Sequence, residues 1–133
     1  MEILDVRTTR HTELVDITHS VNNIVKKSKF EEAFCLVYVP HTTAGVLINE
    51  NADPSVKEDI LMALSRAVPD NLPFRHTEGN STGHVKSVLT GCSVLVPVKN
   101  GELQLGTWQG IFFAEFDGPR NRHVCVSLIC DKK

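Results

Sequence analysis

The chain has 133 residues, a formal net charge of −2 and a hydrophobic fraction of 41%. This length is typical of a single domain, 1–133, that can bury a sizeable core. The absence of a stripe rich in lysine and arginine argues against a nucleic-acid partner. There is no apolar run of membrane-spanning length and no signal-peptide pattern, so we expect a cytoplasmic protein with no membrane partner.

The cysteines are Cys35, Cys92, Cys125 and Cys130. They form no Cys-x-x-Cys pair, and the first three lie in apolar, strand-like segments. This pattern predicts buried structural thiols rather than zinc ligands or disulfides.

The first forty residues predict two strands, a helix and a further strand. Strands over 3–6 and 13–18 are joined by a polar segment, which suits a hairpin. Ser20 is a candidate N-cap for a helix whose apolar residues follow at helical spacing. Residues 33–39 are nearly all apolar, which is typical of a strand at the centre of a sheet.

Two further helices are predicted in the middle of the chain. Asp53 followed by Pro54 is a strong helix start, and the apolar face of this helix continues to about residue 67. The next dozen residues form a loop of a length that is usually functional or disordered. A short helix then begins at Asn80 or Ser81.

The remainder predicts strands. Asn100-Gly101 is the pattern of a type I′ hairpin turn, and Gly106 and Gly110 predict a bend in its returning arm. With about eight strands and three helices in irregular order, the chain favours an α+β fold. We expect a single compact domain with antiparallel or mixed sheet layers.

Polar residues flank the short apolar run 46–48. The segment 41–54 reads HTTAGVLINENADP, with His41 and two threonines before the run and two asparagines, Glu50 and Asp53 after it. A rigid buried strand with polar groups at both ends is a common support for a functional site. The alternative is a turn followed by a helix cap.

Three histidines are candidate metal ligands. His41, His76 and His84 stand at loop or helix-start positions near acidic residues, and together they offer three nitrogen ligands with one position open. Glu50 and Glu78 are candidate further ligands, a general base or a partner that orients an imidazole. The alternative is that these histidines are structural.

A second polar cluster contains Gln109, Glu115, Asp117 and Arg120. Glu115 lies between apolar residues of a strand and therefore needs a partner. Arg120 is a candidate for that partner, or for a clamp on phosphate or carboxylate oxygens. Trp108 is predicted to be a core residue, and the alternative is that its ring stacks on a ligand ring.

Four motifs together resemble the YjbQ family, also called UPF0047, whose members are often described as secondary thiamine-phosphate synthases. They are HTTAGVLINENADP, HTEGNSTGH, SVLTGCSVLVPVKNGELQLGTWQG and FDGPR, and the resemblance runs in order from about residue 33 to residue 129. It implies a compact α+β domain that assembles as a homotrimer. It also implies sites near subunit boundaries and a metal bound at the histidine positions.

The implied reaction joins hydroxymethylpyrimidine diphosphate to a thiazole phosphate and releases pyrophosphate. We expect His41, His76 and His84 as metal ligands, with zinc favoured over magnesium because imidazole suits the softer ion. The expected catalytic residues are Glu50, Glu78 and Arg120, and the expected substrate-binding residues are Thr42, Asn49, Asn80, Trp108 and Gln109. Two alternatives stay open: a metal-assisted hydrolase of a small phosphorylated or acyl substrate, and a non-enzymatic trimer that binds a metal or small ligand.

Overall fold

The computed structural model describes residues 1–131. Its strands are β1 (Glu2–Arg7), β2 (Glu13–Asp16), β3 (Glu32–Tyr38), β4 (Ala44–Glu50), β5 (Ser93–Lys99), β6 (Glu102–Leu103), β7 (Gln109–Glu115) and β8 (Asn121–Ile129). Its helices are α1 (Thr18–Ser28), α2 (Pro54–Ala67) and α3 (Ser81–Thr90). Within residues 1–131 no helix combines the length and the hydropathy that a membrane span needs.

The strands form two antiparallel sheets, which confirms the predicted α+β class. The larger sheet has the order β1-β8-β3-β5-β6 and the smaller one β2-β7-β4. β3 is central, as its apolar sequence predicts. The predicted hairpin of the first two strands is wrong, because β1 pairs with β8 while β2 pairs with β7 in the other sheet.

The main core lies between the two sheets and is closed by α1. It is built largely from valines of the larger sheet, with Val21 and Val25 of α1 and Phe113 of the smaller sheet. A second cluster on the outer face of the smaller sheet includes Phe112 and Phe116 and packs against α2. The architecture is therefore layered, with α2, the smaller sheet, the main core and the larger sheet in succession.

Successive side chains of β7 alternate between the main core and the face that packs against α2. Ile111 and Phe113 belong to the core between the sheets, whereas Phe112 and Ala114 face α2. Alternation then places Glu115 on the same face as Phe113. A carboxylate with no exposed surface therefore stands at one end of the main core.

The predicted N-cap is confirmed for α2 but not for α1. Asp53 accepts a hydrogen bond from the backbone N–H of Ser55 at 3.0 Å, which confirms it as the N-cap of α2. The N-cap of α1 is Ile17, three residues before the predicted Ser20, and the helix begins at Thr18. The reason is that the side chain of Asp16 accepts a hydrogen bond from the Thr18 N–H at 3.0 Å and supports an earlier first turn.

The turn at residues 100–101 is as predicted, but its returning arm is not a long strand. Asn100 has φ 55° and Gly101 has φ 74°, the left-handed pair that a type I′ turn requires. The arm pairs with β5 only over Glu102–Leu103. The chain then bends at the glycine-containing segment and crosses to the smaller sheet as β7.

Two burial predictions are wrong. Trp108 is 62% exposed, because it lies outside the sheets in the turn before β7. Cys92 is exposed in the connection between α3 and β5. Cys35 is the fully buried thiol, and burial raises its pKa to about 11. Cys125 and Cys130 are half-buried, and all four cysteines are free thiols.

Two apolar surfaces are exposed. On the outer face of the larger sheet, Phe34, Leu95 and Ile129 are each about half-exposed. On α3, Val88 and Leu89 point outward with exposures of 82% and 60%, while polar and small residues form the buried face. α3 is therefore amphipathic in the reverse sense to an ordinary surface helix.

Candidate functional site

A polar cleft of about 420 Å³ opens where three connections meet. These are the β3–β4 connection, the loop before α3 and the β7–β8 turn. Its ionisable lining includes His41, His76, Glu78, His84, Asp117 and Arg120. Segments that are far apart in sequence thus supply one site.

A larger cavity, about 590 Å³, lies at the opposite end of β3 among Phe34, Pro97 and Ile129. Within the described part of the chain, its lining contains charged side chains but no histidine. The histidine cleft is the better candidate for chemistry, because it collects imidazole, carboxylate and guanidinium groups around one space.

His41 is held at the end of β3 by the backbone of β8. The β3–β8 ladder ends at Tyr38 and Cys125, and its continuation would place His123 opposite Pro40, which has no N–H. The Nε2 atom of His41 lies 3.1 Å from both the backbone nitrogen and the carbonyl oxygen of His123. In either tautomer Nε2 is engaged, so Nδ1 is the ring nitrogen left for a ligand.

The environment of His41 favours its neutral form. Burial lowers the pKa of His41 below its usual value of 6.5, and repulsion from the Arg122 guanidinium lowers it further. A neutral imidazole can accept a hydrogen bond from the His123 N–H and can also bind a metal ion.

His76 and His84 form a close pair on the other wall. His76 comes from the loop before α3, and His84 lies in the first turn of that helix. Their ring centres are 5.2 Å apart and their planes are nearly perpendicular. The loop-to-helix junction therefore brings these two imidazoles together, as their spacing suggests.

Asn80 is the N-cap residue of α3, but its side chain makes no capping hydrogen bond. Instead its Nδ2 atom donates to the carboxylate of Asp117 at 2.9 Å. Its Oδ1 atom is the one fully buried side-chain polar atom in residues 1–131 that has no hydrogen-bond partner. The side chain of Asn80 thus lines the cleft instead of capping α3, and its Oδ1 atom is an acceptor without a partner.

Asp117 and Arg120 form an ion pair within the β7–β8 turn. The Arg120 Nη2 atom is 3.0 Å from the Asp117 carboxylate, and Nε donates to the Asp117 carbonyl at 2.7 Å. Burial acts to raise the pKa of Asp117, but hydrogen bonds from Asn80 and Arg120 outweigh it and lower the pKa below its usual value. Arg120 is 53% exposed, so it lies at the rim.

The floor of the cleft is a buried network that the sequence analysis missed. Arg122 donates from Nε and Nη2 to the two carboxylate oxygens of Glu115, at 2.8 and 2.5 Å. Its Nη2 also donates to the hydroxyl of Thr43, and Glu115 accepts a further hydrogen bond from Thr8. The prediction that Arg120 pairs with Glu115 is wrong, because Arg120 lies in the turn while Arg122 lies on the inward face of β8.

A signal for Arg122 was present in the sequence. Arg122, Val124 and Val126 alternate along β8, and the two valines belong to the main core. Strand parity alone therefore assigns Arg122 to the buried face. Such a residue requires a buried partner of opposite charge, and Glu115 at the end of β7 meets that requirement.

The predicted site residues divide into two groups. Those that line the cleft are His41, Thr42, His76, Glu78, Asn80, His84 and Arg120. Asn49, Glu50, Trp108 and Gln109 lie together at the opposite end of β4, where Glu50 pairs with Gln109 in register. Six residues of strand separate that end from the cleft, about 20 Å. Within one chain, the structure does not bring Glu50 to the histidines.

The imidazole and carboxylate groups of the cleft are the chemical types that usually bind zinc in proteins. The separation of the His76 and His84 rings is also compatible with two imidazoles on one ion. Within residues 1–131, no three His, Cys, Asp or Glu side chains are gathered closely enough for a metal site. The structure thus presents a histidine pair rather than a closed set of three ligands.

Comparison with known proteins identifies the family. A family profile described as "UPF0047 protein YjbQ-like" matches residues 2–131. The chain belongs to the YjbQ/UPF0047 family. This YjbQ-family chain is 54% identical over 127 residues to a UPF0047 protein of Methanocaldococcus jannaschii, covering 96% of this chain and 92% of that protein. It is 45% identical over 130 residues to the UPF0047 protein YugU of Bacillus subtilis, covering 97% and 98%.

Solved structures share the fold of this YjbQ-family chain. A crystal structure of a YjbQ/UPF0047 protein from Clostridium acetobutylicum has a TM-score of 0.95 at 45% identity, covering 97% of this chain and 100% of that one. A YjbQ-like protein of unknown function from Sulfolobus solfataricus has a TM-score of 0.93 at 36% identity, covering 98% and 96%. The descriptions of these relatives name no activity.

Proposed function

We propose that the histidine cleft is a metal-assisted active site for a small phosphorylated molecule. The observation that supports this is the meeting of His41, His76 and His84 with Glu78 and Arg120 in one cleft of about 420 Å³. A space of this size suits a small metabolite. Imidazole, carboxylate and guanidinium groups are the usual means of binding a divalent ion and a phosphate together.

His76 and His84 would hold the ion, with Nδ1 of His41 as a third ligand. Zinc is favoured over magnesium because the ligands are imidazoles. When bound, such an ion supplies positive charge to a leaving phosphate oxygen or activates a water molecule. Closing the set of three ligands would require the exposed His76 loop or its side chains to move relative to His41.

Several residues of the cleft have roles of their own. Arg120 is oriented by Asp117 through Nε and Nη2, so its remaining N–H groups are available for phosphate oxygens. Glu78 forms no ion pair within residues 1–131 and is the candidate general base. Asn80 Oδ1 offers an acceptor to a substrate N–H or O–H, and the exposed Thr42 offers a hydroxyl.

The reaction we propose is the thiamine-phosphate-synthase-like transfer that the family resemblance implies. The bond from the pyrimidine methylene carbon to the diphosphate oxygen breaks, and pyrophosphate leaves with the electron pair. The thiazole nitrogen forms the new bond to that carbon. No oxidant or reductant is required, and Arg120 would stabilise the charge on the departing pyrophosphate.

We further propose that the protein is a cytoplasmic homotrimer. The exposed apolar faces of the larger sheet and of α3 support assembly, because apolar surfaces of this kind commonly mark protein contacts. Assembly also provides a role for Glu50, Asn49, Trp108 and Gln109. In a trimer, these residues of one subunit would lie against the cleft of the next, with Glu50 as an acid or base and Trp108 stacked on a substrate ring.

A hydrolase of a small phosphorylated or acyl substrate is the second candidate. It is favoured by the lining of the cleft, which has many hydrogen-bonding groups and, among residues 1–131, no Phe, Tyr or Trp. A pyrimidine would normally be bound by stacking on such a ring. A single phosphate ester would not need one.

Metal content is the first test. Protein purified without added metal or chelator should contain close to one zinc ion per chain, and His76→Ala should lose it. His19→Ala removes an exposed histidine of α1 and should retain the ion. Equal metal content in all three proteins, or none in any, would contradict the proposed site.

Turnover then separates the reactions. Transfer predicts a thiamine phosphate product only when both the pyrimidine diphosphate and the thiazole phosphate are supplied. Hydrolysis predicts release of phosphate or acid from single esters. A metal-loaded protein inactive in both assays would instead be a non-enzymatic binding trimer, the remaining alternative.

A further inference from the structure

Arg122 is a buried cation that is held in one orientation. Its side chain is 6% exposed, and that of Glu115 is 0% exposed. Nε and Nη2 point to the two oxygens of Glu115, and Nη2 also contacts the carbonyl and hydroxyl of Thr43. The plane of the guanidinium is therefore set by four contacts before any ligand arrives.

One nitrogen of this guanidinium is unused. Nη1 of Arg122 forms no hydrogen bond with residues 1–131, and it is not among their fully buried unpaired atoms. Arg122 itself lines the histidine cleft. Nη1 therefore has two N–H donors, no protein acceptor and some exposed surface, and the cleft is the space that Arg122 lines.

We propose that Nη1 of Arg122 forms an oxyanion subsite at the floor of the cleft and binds an oxygen of a phosphate monoester. The inference rests on the proposed function, and it deepens that proposal by assigning an orientation to the substrate. The phosphate lies against the floor beside Thr43. The rest of the molecule extends towards His76 and His84.

Arg122 is better suited to this task than Arg120. Arg120 lies at the rim with half of its side chain exposed, so solvent and salt screen its charge. Arg122 is already ordered and desolvated, which strengthens a charge-assisted hydrogen bond. Arg120 can still contact the outer oxygens of the same phosphate.

The acidic residues nearby do not prevent anion binding. Glu115 is neutralised by Arg122, and Asp117 is neutralised by Arg120. Glu78 also lines the cleft, but it is exposed, so solvent screens its repulsion. A guanidinium paired with a carboxylate still donates from its free nitrogen.

Titration with inorganic phosphate tests the subsite directly. The side-chain Nε–H signal of Arg122 should be resolved in nitrogen-edited NMR, because burial slows its exchange with solvent. Phosphate should shift this signal saturably, while Arg66 at the end of α2 should not respond. Movement of the exposed arginines alone, with Arg122 unchanged, would indicate an adventitious ion only and would overturn the inference.

Two variants separate binding from folding. Arg122→Lys keeps a cation but lacks the fork, and it should weaken phosphate binding about tenfold to a hundredfold. Isothermal titration calorimetry measures phosphate binding in both variants, because neither carries the Arg122 signal. The double variant Glu115→Met/Arg122→Met removes the buried pair without an unpaired charge, so it should fold but show no saturable phosphate binding. Phosphate affinity unchanged in either folded variant would also refute the subsite.

The titration is carried out on both metal-stripped and zinc-loaded protein. A response of Arg122 in a protein that never binds zinc would support the subsite and reject the metal-assisted function. Zinc binding and turnover without any response of Arg122 to phosphate would support the metal-assisted function and reject the subsite. The two proposals therefore fail independently.

Discussion

Arg122 and Glu115 form a two-pronged ion pair at the end of the apolar layer between the sheets, directly beneath the histidine cleft. The contact distances are 2.8 and 2.5 Å, and neither side chain has significant exposure. Thr8 and Thr43 supply further hydrogen bonds to this pair. The pair joins β7 to β8 and supports the site above it, so stability and ligand binding both depend on it.

Removal of Arg122 alone should be strongly destabilising. Arg122→Met leaves the Glu115 carboxylate buried without its partner, and the free energy of unfolding should fall by about 3–5 kcal/mol. Urea denaturation followed by circular dichroism measures this change. The double variant Glu115→Met/Arg122→Met should recover most of the loss. A double variant no more stable than the single one would show that packing volume, rather than unpaired charge, is responsible.

The same pair predicts a loss of stability in acid. Burial acts to raise the pKa of Glu115, but hydrogen bonds from Arg122, the Asp117 N–H and Thr8 outweigh it, and the pKa lies below its ordinary value of 4.5. A carboxyl group with a lowered folded-state pKa stabilises the fold above its unfolded pKa, and this contribution is lost as pH falls through the folded value. The unfolding free energy should therefore decrease with falling pH below about 4.5.

Glu115→Gln is the control for the acid prediction. It should lower stability at neutral pH and flatten the decrease in acid, because the titrating group has been removed. Urea midpoints measured from pH 7 to pH 3 for both proteins provide the comparison. An equally steep decrease in Glu115→Gln would assign the acid sensitivity to other carboxylates such as Asp117.

Gly83 allows α3 to approach the cleft closely. A Cβ added there would lie 2.9 Å from the carbonyl oxygen of Phe116 and 3.4 Å from the Thr43 side chain. Gly83→Ala should push α3 outward, lower stability by about 1–3 kcal/mol and weaken the proposed zinc binding through the neighbouring His84. Calorimetric zinc titration and thermal melting report the two effects.

A matched control for this change is Gly106→Ala. The atoms nearest to an added Cβ there belong to the flexible side chain of Gln109, at 3.3 Å. Moving that side chain costs the hydrogen bond that its Oε1 accepts from the Gly106 N–H at 2.8 Å, but Gln109 is not a proposed zinc ligand, so zinc affinity should be unchanged. Normal zinc affinity in the Gly83→Ala protein would contradict the prediction that zinc binding depends on the position of α3.

The β5–β6 turn should be sensitive to a side chain at Gly101. This residue has φ 74°, where a Cβ is strained, so Gly101→Ala should lower the unfolding free energy by about 1–2 kcal/mol. Asn100→Gly, at φ 55°, should be close to neutral because both residues adopt this conformation. Equal effects of the two changes would argue against a strain mechanism.

Charges on the exposed apolar faces should prevent assembly. Val88 on α3 is 82% exposed and Leu95 on the larger sheet is 54% exposed. The double variant Val88→Lys/Leu95→Lys should be a monomer by light scattering if these faces form the contacts of a trimer. Lys27→Glu changes an exposed residue of α1 and should leave the mass unchanged. A trimer that persists in the double variant would place its contacts elsewhere.

Features that depend on neighbouring residues were predictable from sequence. Asp53 caps α2 through the N–H two residues ahead, and the Asn100-Gly101 turn depends on its own backbone angles. The start of α1 was misjudged because Asp16, rather than Ser20, supports its first turn. Local hydrogen bonds decide such features, so errors there are only of a few residues.

Features that depend on sheet pairing were harder to predict. β1 and β2 looked like a hairpin, but each has a strand from the second half of the chain as its partner. Trp108 looked like a core residue, although its segment crosses between sheets and leaves it exposed. Hydrophobicity does not specify which strand will be the neighbour, and the neighbour determines burial.

The sequence by itself determined the family, the fold class and most members of the cleft, because loop histidines and helix caps carry local chemical signals. Only the tertiary structure decided that Arg122, rather than Arg120, neutralises Glu115, and that Glu50 and Trp108 lie at the end of β4 away from the histidine cleft. The physical reason is that charge pairing and site membership depend on strand direction and on which face of a sheet is buried. Both are properties of long-range packing, which a linear pattern does not contain.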